Sequence, residues 1–238
     1  MREFPWSAET AEWMRRASDY SSYDSLLAKH IAAHLSKSDT VFEPGCGVGG
    51  LTLALAPYVK NIMAVDIAAP ALASLKENAA KRDIRNVNPM LCDVMSLSAE
   101  LRFDAAVFCF FGMPEEILFM AEKHSIRSLF IIKRAYATHR FSTEAVPIKG
   151  DSLSLMRTCL EERGIAYTCE LLDAEMGQPF RSIEEARRFF TVYARDADKS
   201  VFTEAYLKTR LIQTDNPAFP YYLPGKKEVG LIYIERKI

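Results

Sequence analysis

From Thr40 onward, short apolar runs alternate with longer stretches in which apolar residues recur every three or four positions. Runs of four to seven apolar residues are strand-sized, and the three-to-four spacing builds one face of a helix. The pattern predicts strands at 40–43, 61–66, 87–92, 104–110 and 128–133, with helices at 49–56, 69–81 and 114–123 between them. Pro114 suits a first helical turn, where its missing N–H has no partner to lose. Strands alternating with helices in this way require a parallel sheet covered on both faces. Two further helices come first, beginning after Ser7 and near Ser22, with each serine placed to cap free backbone N–H groups. The second sets Leu27, Ile31, His34 and Leu35 on one face, as a helix packed on one side does.

Past Lys133 the chain enters a loop holding Arg134, His139 and Arg140, then a helix at 151–163 closed by Gly164, then a strand at 166–173. The segment 177–227 predicts two more helices, one announced by Ser182-Ile183-Glu184-Glu185, whose serine and glutamate can cap each other's backbone N–H. Val229–Glu235 is the last strand. The expected organisation is one domain over 1–238: helices at 1–37, an α/β core at 38–176 and 228–238, and a helical cap inserted at 177–227.

Composition narrows the function classes. With 49% hydrophobic residues over 238 positions, the chain can bury roughly 70–75% of its unfolded surface, so neither disorder nor a disulfide or metal staple is expected. Thirty Lys and Arg against 31 Asp and Glu leave no global basic field, which argues against nucleic acid and anionic lipid as partners. The apolar runs fall far short of the roughly 20 residues that span a bilayer, and no leader-like segment opens the chain, so the expectation is cytoplasmic. Cys46, Cys92, Cys109, Cys159 and Cys169 show no paired spacing for zinc. His30 and His34, four apart on a helix, have no third ligand in view, and no metal is expected.

The chemistry concentrates in Val41-Phe42-Glu43-Pro44-Gly45-Cys46-Gly47-Val48-Gly49-Gly50. A strand runs into a glycine-rich turn and then a helix, which lets backbone approach a ligand and aims free N–H groups at it. Asp66 ends the second strand 19 residues after Gly47, and Asp93 follows the third. Parallel strands put all these ends on one edge of the sheet. A carboxylate there can accept from both hydroxyls of a ribose. A nicotinamide-binding Rossmann domain satisfies the same glycine spacing.

With Glu43-Pro44-Gly45-Cys46-Gly47-Val48-Gly49, Asp66 and Cys92-Asp93-Val94 in this order, the sequence resembles the class I S-adenosylmethionine-dependent methyltransferases over about 40–175 and the last strand. The resemblance implies a seven-stranded, mostly parallel, doubly wound sheet whose last strand is antiparallel. It also implies S-adenosylmethionine as cofactor. Gly45, Cys46, Gly47 and Gly49 would line its methionine and ribose, with Glu43 facing the ammonium. Asp66 would bind the ribose hydroxyls and Asp93 the adenine amino group, with Ile67 and Val94 also among the cofactor-binding residues. Tyr20 and Tyr23, between the leading helices, stand where such enzymes fold residues over the cofactor; aromatic packing is the alternative. One departure matters: where relatives acting on exocyclic or amide nitrogens carry Asn or Asp and two prolines, this chain has Cys109-Phe110-Phe111-Gly112-Met113-Pro114.

The expected acceptor is a small molecule, with RNA or protein methylation, or binding without catalysis, as alternatives. Lys133, Arg134 and His139 follow the fifth strand, where they either face solvent or meet an anionic substrate, and His139 is the candidate base if the acceptor must lose a proton. Arg16 reads as a solvated charge, with a contact to a carboxylate as the alternative. Nine aromatics in the cap, Phe180, Phe189, Phe190, Tyr193, Phe202, Tyr206, Phe219, Tyr221 and Tyr222, exceed what two short helices need, and the surplus is expected to wall a substrate pocket over the sheet edge.

Overall fold

A computed structural model of the chain describes residues 6–124, 126–148, 150 and 152–236. Helices α1 (Ala8–Tyr20) and α2 (Tyr23–Ala32) lead into β1 (Thr40–Pro44), α3 (Gly50–Leu55), β2 (Asn61–Asp66), α4 (Ala69–Lys81) and β3 (Val87–Leu91). Next come β4 (Ala105–Cys109), α5 (Pro114–Lys123), β5 (Ser128–Arg134), α6 (Leu153–Glu162) and β6 (Thr168–Glu175). The chain continues through β7 (Gln178–Phe180), α7 (Ile183–Tyr193), α8 (Glu204–Arg210), β8 (Ile212–Gln213), β9 (Tyr221–Leu223) and β10 (Lys226–Glu235). The residue expected to open α6, at 151, lies outside the described residues.

Seven strands form one sheet in the order β3-β2-β1-β4-β5-β10-β6. The first five pair in parallel, and β10 enters antiparallel between β5 and β6. Alternation along each strand sends neighbours to opposite faces. Val41 and Leu231 thus join one buried layer with Leu27, Ile31 and Leu75, whereas Phe42 and Ile232 join the other with Ile117, Met120 and Met156. The strand order reverses between β1 and β4, which opens a crevice at their carboxyl ends.

The insertion holds the two predicted helices, but it is a mixed unit and not a purely helical one, because β7, β9 and β8 make a small antiparallel sheet within it. Phe180, Phe189, Phe190 and Phe202 are buried in the unit's own core with Trp13 of α1. Most of the aromatics expected to wall a pocket therefore serve this core; a sheet and two helices need a second apolar layer that two helices alone would not.

Arg16 is not a solvated charge. It is 3% exposed, donating from Nη2 to Glu185 Oε1 at 2.7 Å and from Nη1 to Glu185 Oε2 at 3.2 Å. Glu185 also accepts from the Trp13 indole at 3.3 Å and the Arg181 amide at 2.6 Å. The Ser182 hydroxyl caps the Glu185 amide at 3.1 Å, but the glutamate reaches back to residue 181 and across to α1, so the expected reciprocal box stays half made. Ser7 caps α1 as expected, accepting from Thr10 N at 3.1 Å, while Ser22 makes no side-chain cap.

This buried pair fastens the insertion to α1. Breaking it by Arg16→Ala leaves a buried carboxylate alone and should cost about 3–5 kcal/mol in urea unfolding, whereas replacing both partners by Met and Leu should cost less than half of that. Burial works to raise the Glu185 pKa, but the hydrogen bond and charge of Arg16 and the Arg181 amide outweigh it and hold it below the usual value. A depressed carboxyl stabilises the fold above its unfolded value of about 4.3, and that contribution is lost as pH falls through the folded pKa. Stability measured from pH 6 to 3 should therefore fall more steeply for the parent than for the double variant, and parallel curves would contradict this.

Candidate active site

The crevice begins where β1 ends. Gly45 N donates to Val65 O at 2.7 Å, folding the turn back onto β2. Gly45 and Gly47 have φ of +66° and +55°, a region in which a Cβ is disfavoured. Space adds to this requirement: a methyl at Gly45 would collide with the Phe111 ring, and one at Gly47 would lie 3.1 Å from the Trp6 ring. Two aromatic side chains from outside the motif thus close on the turn. Gly49 caps α3 and backs against Leu75. Burial, with the nearby carboxyls adding, pushes the Cys46 thiol well above its ordinary range.

Asp66 is buried at the end of β2, where Oδ2 accepts from Gly47 N and Oδ1 from Ala68 N, each at 2.8 Å. Each oxygen retains a further lone pair. Cys92 N donates to the Asp66 carbonyl at 3.2 Å, which brings Asp93 to the same edge. Asp93 is exposed and accepts from Met95 N at 2.9 Å. Ile67 is 58% exposed, and Met95 is exposed as well, leaving apolar surface beside the two acids. Val94 differs from expectation, for its side chain packs in the sheet's apolar layer.

Glu43 is 2% exposed, and its Oε2 has no hydrogen-bond partner in the structure. Burial, opposed by the neighbouring Thr52 hydroxyl and joined by the charge of Asp24, pushes its pKa up to about 8. A buried carboxyl oxygen without a partner is uncommon and points to a missing one.

The other expected residues divide. Tyr23 is buried at the start of α2, its hydroxyl without a partner, and Lys227 Nζ stands 4.8 Å from its ring centroid. Tyr20 is 41% exposed and meets the insertion, with ring centroids 5.4 Å from Tyr222 and 6.3 Å from Phe219. His139 is half-buried beside the insertion, Nδ1 3.4 Å from Ser142 Oγ and its ring edge-on to Phe141. Burial and then Arg195 lower its pKa. Lys133 and Arg134 do not face a substrate as posed. Lys133 is fully buried and donates to the carbonyls of Phe111 and Gly112 at 3.2 and 2.6 Å, fixing the loop after β4, in which Phe110 adopts φ +53°. Arg134 donates to the carbonyls of Tyr136, Ile148 and Gly150. His30 Nδ1 lies 2.8 Å from Glu170, and His34 stacks on Tyr233.

Trp6, Phe111, Asp24 and Lys227 reach this region from outside the glycine motif. The signal for Lys227 was period two: it shares the core-facing side of β10 with Val229 and Leu231. Among the described residues no His, Cys, Asp and Glu group could hold a metal, and no helix is long and apolar enough to cross a membrane. A recess of about 580 Å³ lined by Arg134, Tyr136, Ser152, Arg157 and Leu171 includes none of the glycine-turn residues.

Comparison with known proteins agrees with this geometry. Residues 41–125 match the family model described as a methyltransferase domain. The "Probable cobalt-precorrin-6B C(15)-methyltransferase (decarboxylating)" of Methanocaldococcus jannaschii is 28% identical over 119 residues, half of this chain and 65% of that relative's length. The YcgJ protein of Bacillus subtilis superposes with TM-score 0.55 at 15% identity, covering 91% of this chain and 99% of the other. A precorrin 8W decarboxylase of Methanobacterium thermoautotrophicum does so with TM-score 0.51 at 18% identity, covering 89% of each. Sheet order and glycine turn thus coincide with a matched methyltransferase domain at residues 41–125, on the fold that the superposed proteins share.

Proposed function

We propose that this protein transfers the methyl group of S-adenosylmethionine to a small-molecule acceptor held between the sheet edge and the 177–227 unit. The observation that carries the reading is the pair of acids flanking the glycine turn: Asp66 with lone pairs to spare and Glu43 with an unpartnered buried oxygen. Both fit the cofactor. Asp66 would take the ribose hydroxyls, Asp93 the adenine amino group, Ile67 the face of the base, and Glu43 the methionine ammonium, with the backbone of Gly45–Gly49 along the chain between. Balanced charge and the precorrin substrates in the printed names of two relatives support a small acceptor.

When bound, the cofactor supplies a methyl group on a sulfonium, already activated for in-line displacement. The protein's part is then alignment and exclusion of water. Phe111 and Trp6 cover the turn, and Lys133 holds the Phe111 loop in place. Should the acceptor present a hydroxyl, the proposed base is His139, which burial and Arg195 keep neutral at pH 7 and so able to accept a proton.

Calorimetric titration should show S-adenosylhomocysteine binding to the parent and no comparable binding of a nicotinamide dinucleotide. Asp66→Ala should lose about 2–3 kcal/mol of that affinity, because it removes an acceptor for two hydroxyls and unties Gly47; Asp93→Ala should lose about 1–1.5 kcal/mol. An Asp66→Ala variant equal to the parent would refute the assignment.

Glu43 gives an independent reading. With its pKa at about 8, the carboxyl is protonated at pH 7 in the free protein, and an ammonium arriving beside it favours the ionised form. Binding should then release up to about one proton at pH 7 and tighten as pH rises from 6 to 8. Titrations in two buffers of different ionisation heat measure the release. Glu43→Gln should abolish it, and an unchanged release in that variant would contradict the role.

A further inference from the structure

On the β4–β5–β10 side of the glycine turn, away from Asp66, two cations, Arg140 and Lys227, meet at Met176. Arg140 Nη2 donates to the Met176 carbonyl at 3.0 Å, and Lys227 Nζ lies 3.6 Å from the Sδ of the same residue. A thioether is a weak acceptor and cannot balance an ammonium. Lys227 Nζ also sits 4.0 Å from the Phe110 ring centroid, besides its contact with Tyr23. Gly225 makes room for Arg140, since a Cβ there would strike the guanidinium.

The nearby acids act on the cations at a distance and bond to neutral donors. Asp24 takes the Ser18 hydroxyl. Glu175 accepts from the Tyr222 hydroxyl at 2.7 Å and Gly225 N at 2.9 Å. Among the described residues neither Arg140 nor Lys227 forms an ion pair with a carboxylate within 4 Å. Holding two like charges together under partial burial is unfavourable. Burial, with the Arg140 charge adding, draws the Lys227 amine down to about 8 against the weaker opposing influence of Cys109 and Asp24. Burial likewise lowers Arg140 against Tyr136, Glu175, Tyr23 and Tyr222. An anion placed between the two cations would reverse this cost, and the aromatic rings around them suit a flat neighbour.

We propose that Lys227 and Arg140 form the acceptor's recognition subsite and take a carboxylate carried on a planar acceptor, an inference that rests on the methyl-transfer reading above. Topology gives the direction. The nucleoside acids Asp66 and Asp93 follow β2 and β3, on one side of β1, whereas Lys227 and Arg140 lie beyond β4 and β5 on the other. The transferable methyl group would lie between the two sides, facing Cys109–Phe111.

The test uses the full chain saturated with S-adenosylhomocysteine, with benzoate as probe and benzamide as its uncharged match. Benzoate should bind at least about tenfold tighter than benzamide, and should raise the titration midpoint of the Lys227 amine, followed by NMR, by about one unit. Both readings come from the parent protein and need no variant. Lys227→Met and Arg140→Met should each remove the preference for benzoate while leaving S-adenosylhomocysteine affinity within about threefold. Equal binding of benzoate and benzamide would overturn the proposal, as would a preference that survives Lys227→Met. So would a loss of S-adenosylhomocysteine affinity in Lys227→Met with adenosine affinity unchanged, which would assign the cation to the cofactor's own carboxylate. Failure of the methyl-transfer reading looks different: the parent would bind no S-adenosylhomocysteine, whatever benzoate does.

Discussion

The carboxylate of Asp66 ties together the two pieces of backbone on which the site is built. One oxygen holds Gly47 in the turn after β1, the other holds Ala68 at the entry to α4. Charge-assisted hydrogen bonds to backbone amides are stronger than neutral ones, so this one side chain sets both the shape of the turn and its distance from β2. Glycine at 45 and 47 follows from that shape, because the turn bends through positive φ and then lies under the Phe111 and Trp6 rings. The Asp66 carbonyl extends the tie to β3 through Cys92 N, and Asp93 is carried into place.

Around this turn the molecule has two unlike sides. Toward β2 and β3 it offers acids and exposed apolar surface, suited to a nucleoside. Toward β4, β5 and β10 it offers the half-buried cations Arg140 and Lys227 and aromatic rings. That unit is anchored by Trp13 and the Arg16–Glu185 pair on α1, so the leading helices act as its foundation and Tyr20 meets it at Tyr222. Lys133 and Lys227 illustrate how position decides role for one residue type. The first, inside the sheet, donates to the Phe111 and Gly112 carbonyls; the second, at the strand's mouth, has a sulfur and two rings for company.

Much of the fold was legible because period-two and three-to-four patterns report burial directly, as in β1, β4, β5 and β10 of the large sheet. The glycine turn and its acids were legible for a different reason: they form one short local motif and two strand ends. What could not be read depends on contacts between distant segments. Arg16 meets Glu185 across 169 positions, and nothing in either neighbourhood announces the other. The short strands Gln178–Phe180 and Ile212–Gln213 are too brief for a pattern to emerge. The Val94 side chain packs inward in the turn after Asp93, a placement that the three-residue motif alone does not specify.

A crystal structure of the protein grown with S-adenosylhomocysteine tests the central claim most directly. The account predicts the adenosine over Asp66 and Asp93, the ammonium toward Glu43, and the sulfur aimed across Cys109–Phe111 at Lys227. A ligand bound with its nucleoside on the Lys227 side of the turn, or seated outside the crevice altogether, would contradict it.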